Sequence, residues 1–353
     1  MKKWARAAAG AASVLLTAVG VACVALRLPA ETGGRAATAA AGFIIPAGNT
    51  DGFFSEDEED GSISSVSSAA PSSAAPSSSR SASGGAQSSQ ASSIPAPSVS
   101  GSHKFLELSV GNSGTQVGNM WVKNATEHHT SVNFSQELQK APAVKIKKDA
   151  SPQVLIYHTH TTESYDFSER TTDKSKSVCA VGDEIAKQLE SAGIGVVHDT
   201  TYHDYPAYNG SYDRSKTTIQ NDLKKYPGIQ VTLDIHRDAM HRSDGTFLKT
   251  TSVIGGKKAS QLMIIAGCDD DGSLGFPDWE YNLRLALRLQ KALSDTYPGL
   301  ARPLNFCARK YNENLTKGSL LIEVGTDANT LDESKYTGQL LGKTLAQVLN
   351  GLT

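Results

Sequence analysis

The chain has 353 residues, with 34 Lys and Arg against 36 Asp and Glu, and a net charge of −2 gives no global reason to bind nucleic acid. Its length has room for two or three domains, but hydrophobic content of 39% and charged content of 20% are unevenly spread, so much of it is not expected to fold. The four cysteines, Cys23, Cys179, Cys268 and Cys307, show no CxxC spacing, which excludes a zinc ribbon; a Cys268–Cys307 disulfide competes with the simpler reading of buried thiols packed as small hydrophobes.

Lys2, Lys3 and Arg6 precede Ala7–Leu26, a run of 20 residues without a charge that Arg27 closes. That length matches the hydrocarbon core of a bilayer, and the basic flank favours a cytoplasmic N-terminus. Residues 1–30 are therefore read as a cytoplasmic tip and a transmembrane signal anchor of a single-pass protein at the cell membrane. The competing reading is a signal peptide cleaved near Ala37-Thr38-Ala39, although the apolar region of such a peptide usually runs only about 7–15 residues. Both readings place the remainder outside the cytoplasm. Residues 31–103 hold an acidic block, Glu56-Asp57-Glu58-Glu59-Asp60, and then a Ser/Ala/Pro tract with hardly any large apolar side chain. Such a tract cannot bury enough surface to offset its ordering entropy, so it reads as a disordered linker. Residues 104–150 recover some hydrophobic pattern at Phe105, Leu106, Leu108, Val110 and Met120-Trp121-Val122, and form a small leading segment packed on the next domain. His128-His129 lack neighbours that complete a metal site and read as a surface loop.

From Ser151 to Thr353 strand and helix patterns alternate. Val154-Leu155-Ile156 is a short buried strand running into His158, His160 and Glu163. Val178, Val181, Ile185, Leu189 and Ala192 mark one helix face, which Gly193 ends. Ile194–Val197, Ile229–Ile235, Leu262–Ala266 and Leu320–Ile322 read as further strands, with helices over Arg214–Lys225, Trp279–Leu293 and the Leu341, Leu345, Val348, Leu352 face. Near-continuous apolar strands between helices predict an α/β domain with a mostly parallel sheet covered on both faces.

Three strands thus end in a metal ligand or an acid: His160 with Glu163, His236, and Glu323. Two His and one Glu are an established ligand set for catalytic zinc, which acidifies water enough to yield hydroxide at neutral pH. A carboxylate not used as a ligand, Glu323, is placed to move the proton from that water to the leaving amine. Arg237 is the candidate for steadying an oxyanion or a substrate carboxylate, and Asp238 follows it as a candidate for contacting a ligand side chain or the substrate. Each residue also has an ordinary reading by itself. A His after a strand is commonly structural, and a lone Glu commonly pairs with a neighbouring cation. His158 and His160 would share one face of a continuing strand, so either can be the ligand; the relation to Glu163 favours His160, with His158 beside it or on substrate. His198, His203 and His241 have no such context. A zinc carboxypeptidase-like deacylase of a small substrate and a non-catalytic wall-binding scaffold are the alternatives.

The blocks YHTHTTESY, TLDIHRDA and LLIEVGTDANTLDES, in that order behind an anchor and a tether, resemble the stage II sporulation protein P family over 104–353. The resemblance implies a cell-wall hydrolase related in fold to the zinc-dependent N-acetylmuramoyl-L-alanine amidases. Implied with it are removal of stem peptides from peptidoglycan, endopeptidase activity on cross-links during forespore engulfment, and a complex with the stage II sporulation proteins D and M. Against the wider amidase pattern, the segments ending at His160 and His236 match the two ligand-His segments, and Leu321–Gly325 matches the strand of the catalytic glutamate. Those amidases carry their ligand glutamate at the start of the first helix, where this chain has only Asp173 and Asp183 nearby, so the resemblance hands that role to Glu163.

Overall fold

The computed structural model of the protein describes residues 103–126, 132–147, 149 and 151–352. The expected anchor, linker and His128-His129 lie outside the described residues. Among the described residues no helix is long and apolar enough to cross a membrane.

The chain runs β1 (Phe105–Leu108), β2 (Thr115–Val117), β3 (Met120–Ala125), α1 (Phe134–Gln139), β4 (Pro152–Tyr157), α2 (Val178–Ser191), β5 (Gly195–His198), α3 (Ser211–Lys225) and β6 (Val231–Asp238). It continues through β7 (Phe247–Ile254), β8 (Lys257–Ser260), β9 (Leu262–Gly267), α4 (Trp279–Thr296), β10 (Leu304–Cys307), β11 (Ser319–Thr326) and α5 (Leu331–Asn350). Eight strands form the main sheet in the order β2-β3-β10-β9-β11-β6-β4-β5, and β1-β7-β8 form a smaller one.

The α/β class is as expected, but the main sheet is mixed rather than mostly parallel. β11, β6, β4 and β5 run parallel to one another, as do β3, β10 and β9, yet β9 meets β11 antiparallel and β2 meets β3 antiparallel. An apolar run such as LMIIA announces a buried strand without its direction, which is why the pattern left this open. Helices do cover both faces. Val154 and Ile156 pack into the large core with Val181 and Ile185 of α2, whereas Leu155 and Tyr157 turn to Ile219 of α3. Alternation of side chains along β4 produces that split, and each fully buried aliphatic contributes about 1.5–3 kcal/mol.

α5 begins earlier than its apolar face suggests, because a capping box (Thr330 with Glu333) starts it at Leu331. Gly338 and Gly342 let it lie directly against α2: a Cβ on Gly342 would stand 2.8 Å from Gln188 Cβ and 3.0 Å from Ile185 O. The polar centre of β7 (Lys249-Thr250-Thr251-Ser252) and the short β10 carried no sequence signal. The disulfide alternative is not formed; Cys307 ends β10, Cys268 follows the neighbouring β9, and both are free thiols.

Candidate active site

β4 ends at Tyr157, and Thr159, in the segment that follows, is held by a buried carboxylate from the adjacent strand. Asp234 Oδ1 accepts from Thr159 N at 2.8 Å and Asp234 Oδ2 from Thr159 Oγ1 at 2.6 Å. The chain then turns, with Glu163 N donating to His160 O, and Glu163 O receives Val178 N at the start of α2. The carboxylate of Glu163 is fixed from the other side, since its Oε2 accepts Arg237 N at 3.0 Å. His236 projects from β6 into this turn. Its Nδ1 lies 3.4 Å from Glu163 Oε2 and its Nε2 2.9 Å from Asp234 Oδ1, although the Nε2–H is not aimed at that oxygen and forms no hydrogen bond. The His160 ring stands edge-on to His236 with centroids 5.2 Å apart, and stacks on Tyr208 at 4.6 Å. Glu323 is the direct partner of His236 in the β11–β6 register, so both side chains leave the same face of the sheet.

Burial and charge act against each other here. Burial disfavours a charged His236, but Asp234 and Glu163 outweigh it and hold the imidazole well above its usual range. Burial likewise pushes Glu163 up, yet His236 and Arg237 overcome it and bring the carboxyl down to about 2. For Glu323 the balance goes the other way: burial, with Asp238 and Glu163 adding to it, outweighs the pull of His236 and Arg302 and pushes its carboxyl up to about 8. Burial lowers His160 to about 4, so this imidazole is neutral.

Among the described residues no group of three or more His, Cys, Asp or Glu side chains stands together at metal-holding distance. His160, Glu163 and His236 nevertheless fit a zinc ion in kind. The 3.4 Å between Glu163 and His236 is near the roughly 3.3 Å that separates two ligands on a tetrahedral ion with bonds of about 2.0–2.1 Å. Glu323 Oε2 is also buried without a hydrogen-bond partner, a polar atom of the kind a bound substrate or water satisfies.

His160, Glu163, His236 and Glu323 are therefore brought together, while the other candidates stand elsewhere. Arg237 does not offer its guanidinium to a reacting oxygen: Nε donates to Ser164 O at 2.9 Å and Nη2 to Glu169 O at 2.5 Å, so it props the 163–170 turn. Arg237 and His236 are consecutive on a strand, which sends their side chains to opposite faces. Asp238 pairs with Arg302 at 2.8 Å. His158 does not continue the strand's alternation, because β4 has already ended. Its Nδ1 donates to Ile235 O at 2.8 Å and its Nε2 meets His198 Nε2 at 2.9 Å, with His198 Nδ1 reaching Asp183 at 3.0 Å. Sequence reasoning missed His198, Asp234, Tyr208 and Arg302. Only Asp234 had a usable signal, an acid two residues before His236 in an otherwise apolar strand.

The model of the stage II sporulation protein P family matches residues 89–346. The chain belongs to that family. A stage II sporulation protein P from Bacillus subtilis (strain 168) is 29% identical over 258 residues, which cover 64% of this chain and 62% of that protein, so the family member described here spans less than two thirds of its relative. Solved structures that it resembles include N-acetylmuramoyl-L-alanine amidase AmiC2 of Nostoc punctiforme (14% identity, 57% of this chain and 97% of that one, TM-score 0.34). Another is the N-acetylmuramoyl-L-alanine amidase of Clostridium difficile 630 (16% identity, 57% and 97%, TM-score 0.32). Likenesses of that size add nothing to the family assignment.

Proposed function

We propose that this stage II sporulation protein P family member is a zinc-dependent peptidoglycan hydrolase. It removes stem peptides as an N-acetylmuramoyl-L-alanine amidase and opens peptide cross-links as an endopeptidase during forespore engulfment. An anchor in residues 1–30 holds it outside the cytoplasm, alongside the stage II sporulation proteins D and M. One observation carries the reading. Glu163 and His236 face each other 3.4 Å apart, and the sheet register sets a buried carboxylate with an unpartnered oxygen, Glu323, beside them. His160, Glu163 and His236 would hold the zinc, which when bound supplies Lewis acidity toward water and the scissile carbonyl. Asp234 and Arg237 N orient these side chains. Glu323 takes a proton from the attacking water, the water's oxygen joins the acyl carbon, the C–N bond breaks, and the proton passes from Glu323 to the departing amine. A carboxyl that titrates near neutrality suits both halves of that transfer.

The test is digestion of purified sacculi by the full chain, with products separated by mass. Stem peptides released from free lactyl groups, lost on chelation and restored by zinc, are the expected result. Intact sacculi under zinc, with cleavage confined to small acylated amino acids, would transfer the site to a deacylase. Binding to sacculi without cleavage, unaffected by His236→Ala, would leave a scaffold.

A further inference from the structure

We propose that a buried chain of hydrogen bonds, Ser215–Thr159–Asp234, is a positioning device that makes His236 bind its metal through Nδ1 and keeps a proton on Nε2. This rests on the zinc-hydrolase reading. It adds the nitrogen that His236 uses and two positioning residues outside the ligand set, Thr159 and Ser215.

A neutral imidazole has one lone pair, so the partner of one ring nitrogen decides which nitrogen can bind a metal. Asp234 and His236 are two positions apart on β6 and share a face of the sheet. Asp234 Oδ1 stands 2.9 Å from His236 Nε2. A carboxylate oxygen at that distance repels a lone pair and attracts an N–H, so Nε2 carries the proton even though it is not aimed closely enough for a hydrogen bond. Nδ1 is left for the metal, and it is the nitrogen 3.4 Å from Glu163 Oε2. Exposure points the same way. The Asp234 side chain is entirely buried, whereas that of Glu163 is 13% exposed, so the Nδ1 side is the one where water can reach an open metal position.

What holds Asp234 in place can be followed proton by proton. Oδ1 accepts Thr159 N at 2.8 Å, and Oδ2 accepts Thr159 Oγ1 at 2.6 Å. A carboxylate only accepts, so the single hydroxyl proton of Thr159 goes to Asp234. Ser215 Oγ lies 2.9 Å from Thr159 Oγ1, and the proton between them therefore comes from Ser215. Ser215 Oγ is also 3.1 Å from Tyr212 O, one turn back on α3, but that oxygen already receives Asn312 Nδ2 at 2.9 Å. Were Ser215 to donate there, two hydroxyl oxygens would face each other at 2.9 Å with no proton between them. Asn312 Nδ2 donates to Ser215 Oγ at 3.1 Å and closes the chain. The Asn312 backbone takes a left-handed φ of +58°, a conformation asparagine tolerates better than most residues. Every donor thus points toward Asp234, and Asn312, Ser215, Thr159 and Asp234 are all buried. A satisfied buried network of this kind specifies one arrangement of its members. Ser215 acts on His236 through Thr159 and Asp234, as the outer partners of metal-binding histidines do.

The experiment titrates the full chain, carrying isotope-labelled histidine, with an NMR-active cadmium isotope and reads the direct metal–nitrogen coupling. The His236 ring is identified in the metal-free spectrum by its absence from His236→Ala. It should couple to cadmium at Nδ1 and keep a proton on Nε2. Zinc affinity, measured by chelator competition, should fall by about 10-fold in Thr159→Val, the lower end for an outer partner of a ligand. In Ser215→Ala it should fall by about 2–10-fold, the worth of one ordinary hydrogen bond. Thr159→Ser keeps the hydroxyl and should bind zinc as the wild type does, which separates the chain from mere packing. The coupling is read on the wild type, so it decides the nitrogen whether or not a variant folds. Cadmium coupled to Nε2 of His236, wild-type zinc affinity in either Thr159→Val or Ser215→Ala, or an equal loss in Thr159→Ser and Thr159→Val each overturn the proposal. Cadmium that couples to neither nitrogen of His236 removes the zinc site beneath it as well.

Discussion

Replacing Glu323 by glutamine removes a titrating group whose folded environment opposes its charge, and the consequence for stability follows from the site's geometry. The carboxyl rises from 4.5 to about 8 because it is buried, with Asp238 and Glu163 adding repulsion. The protonated form is the one the fold prefers. The stability it contributes is therefore fully present below pH 4.5 and is lost as pH rises through 8. Each pH unit inside that window costs about 1.36 kcal/mol for one proton, so the metal-stripped wild type should lose up to about 3 kcal/mol between pH 5.5 and 7.5. For a domain of this size that is roughly 5–10 °C in Tm. Glu323→Gln has no proton to give up and should lack this component. The assay is thermal and urea unfolding of chelator-treated wild type and variant at the two pH values. Zinc added back should shrink the wild-type slope, since a nearby cation favours the ionised carboxylate. Parallel pH profiles for wild type and variant would refute the assignment of Glu323 as a buried, uncompensated acid.

Three further outcomes are expected. Glu163→Gln and His236→Ala should weaken zinc binding by more than the roughly 10–100-fold that an outer-shell partner costs, as read by equilibrium dialysis. The first should leave the fold intact, because its amide oxygen can still accept Arg237 N. Unchanged affinity in either variant removes it from the ligand set. Arg237→Met should destabilise the protein by about 3 kcal/mol in urea, since two charge-assisted bonds to Ser164 O and Glu169 O are lost at about 1.5–3 kcal/mol each. Arg237→Lys should not restore it, because a single ammonium cannot span both carbonyls; a loss under about 0.5 kcal/mol, the scale of ordinary surface changes, contradicts the propping role. Gly325→Ala should cost about 2 kcal/mol in thermal unfolding, because φ there is +78° and a Cβ would stand 2.8 Å from Ser334 Oγ and 2.9 Å from Ser260 Cβ. A wild-type Tm would show that the turn after Glu323 relaxes freely.

The strands that deliver the site were legible because each is a contiguous apolar run that stops at a polar residue: VLIY before His158, TLDI before His236, LLI before Glu323. Burial of a strand writes itself into neighbouring residues, so β4, β6, β9 and β11 could be read locally. β7, whose buried centre Lys249-Thr250-Thr251 is polar, and the four-residue β10 leave no such trace. His158 and His160 could not be separated either. Their difference depends on β4 ending at Tyr157 and on Asp234 holding Thr159, a contact across 75 positions of chain. The choice of Arg237 failed for a related reason. Adjacency to a ligand along a strand guarantees the opposite face.

What the sequence by itself determined is the class of the domain, the positions where strands deliver His160, Glu163, His236 and Glu323, and the family. All of these depend on residue type and short-range spacing. Tertiary structure alone decided the mixed direction of the sheet, the pairing of Glu323 with His236, and the diversion of His158 and Arg237 to structural partners. Each of those is a matter of register and direction between segments remote in the chain, set by how apolar faces close on one another, and no local pattern encodes it.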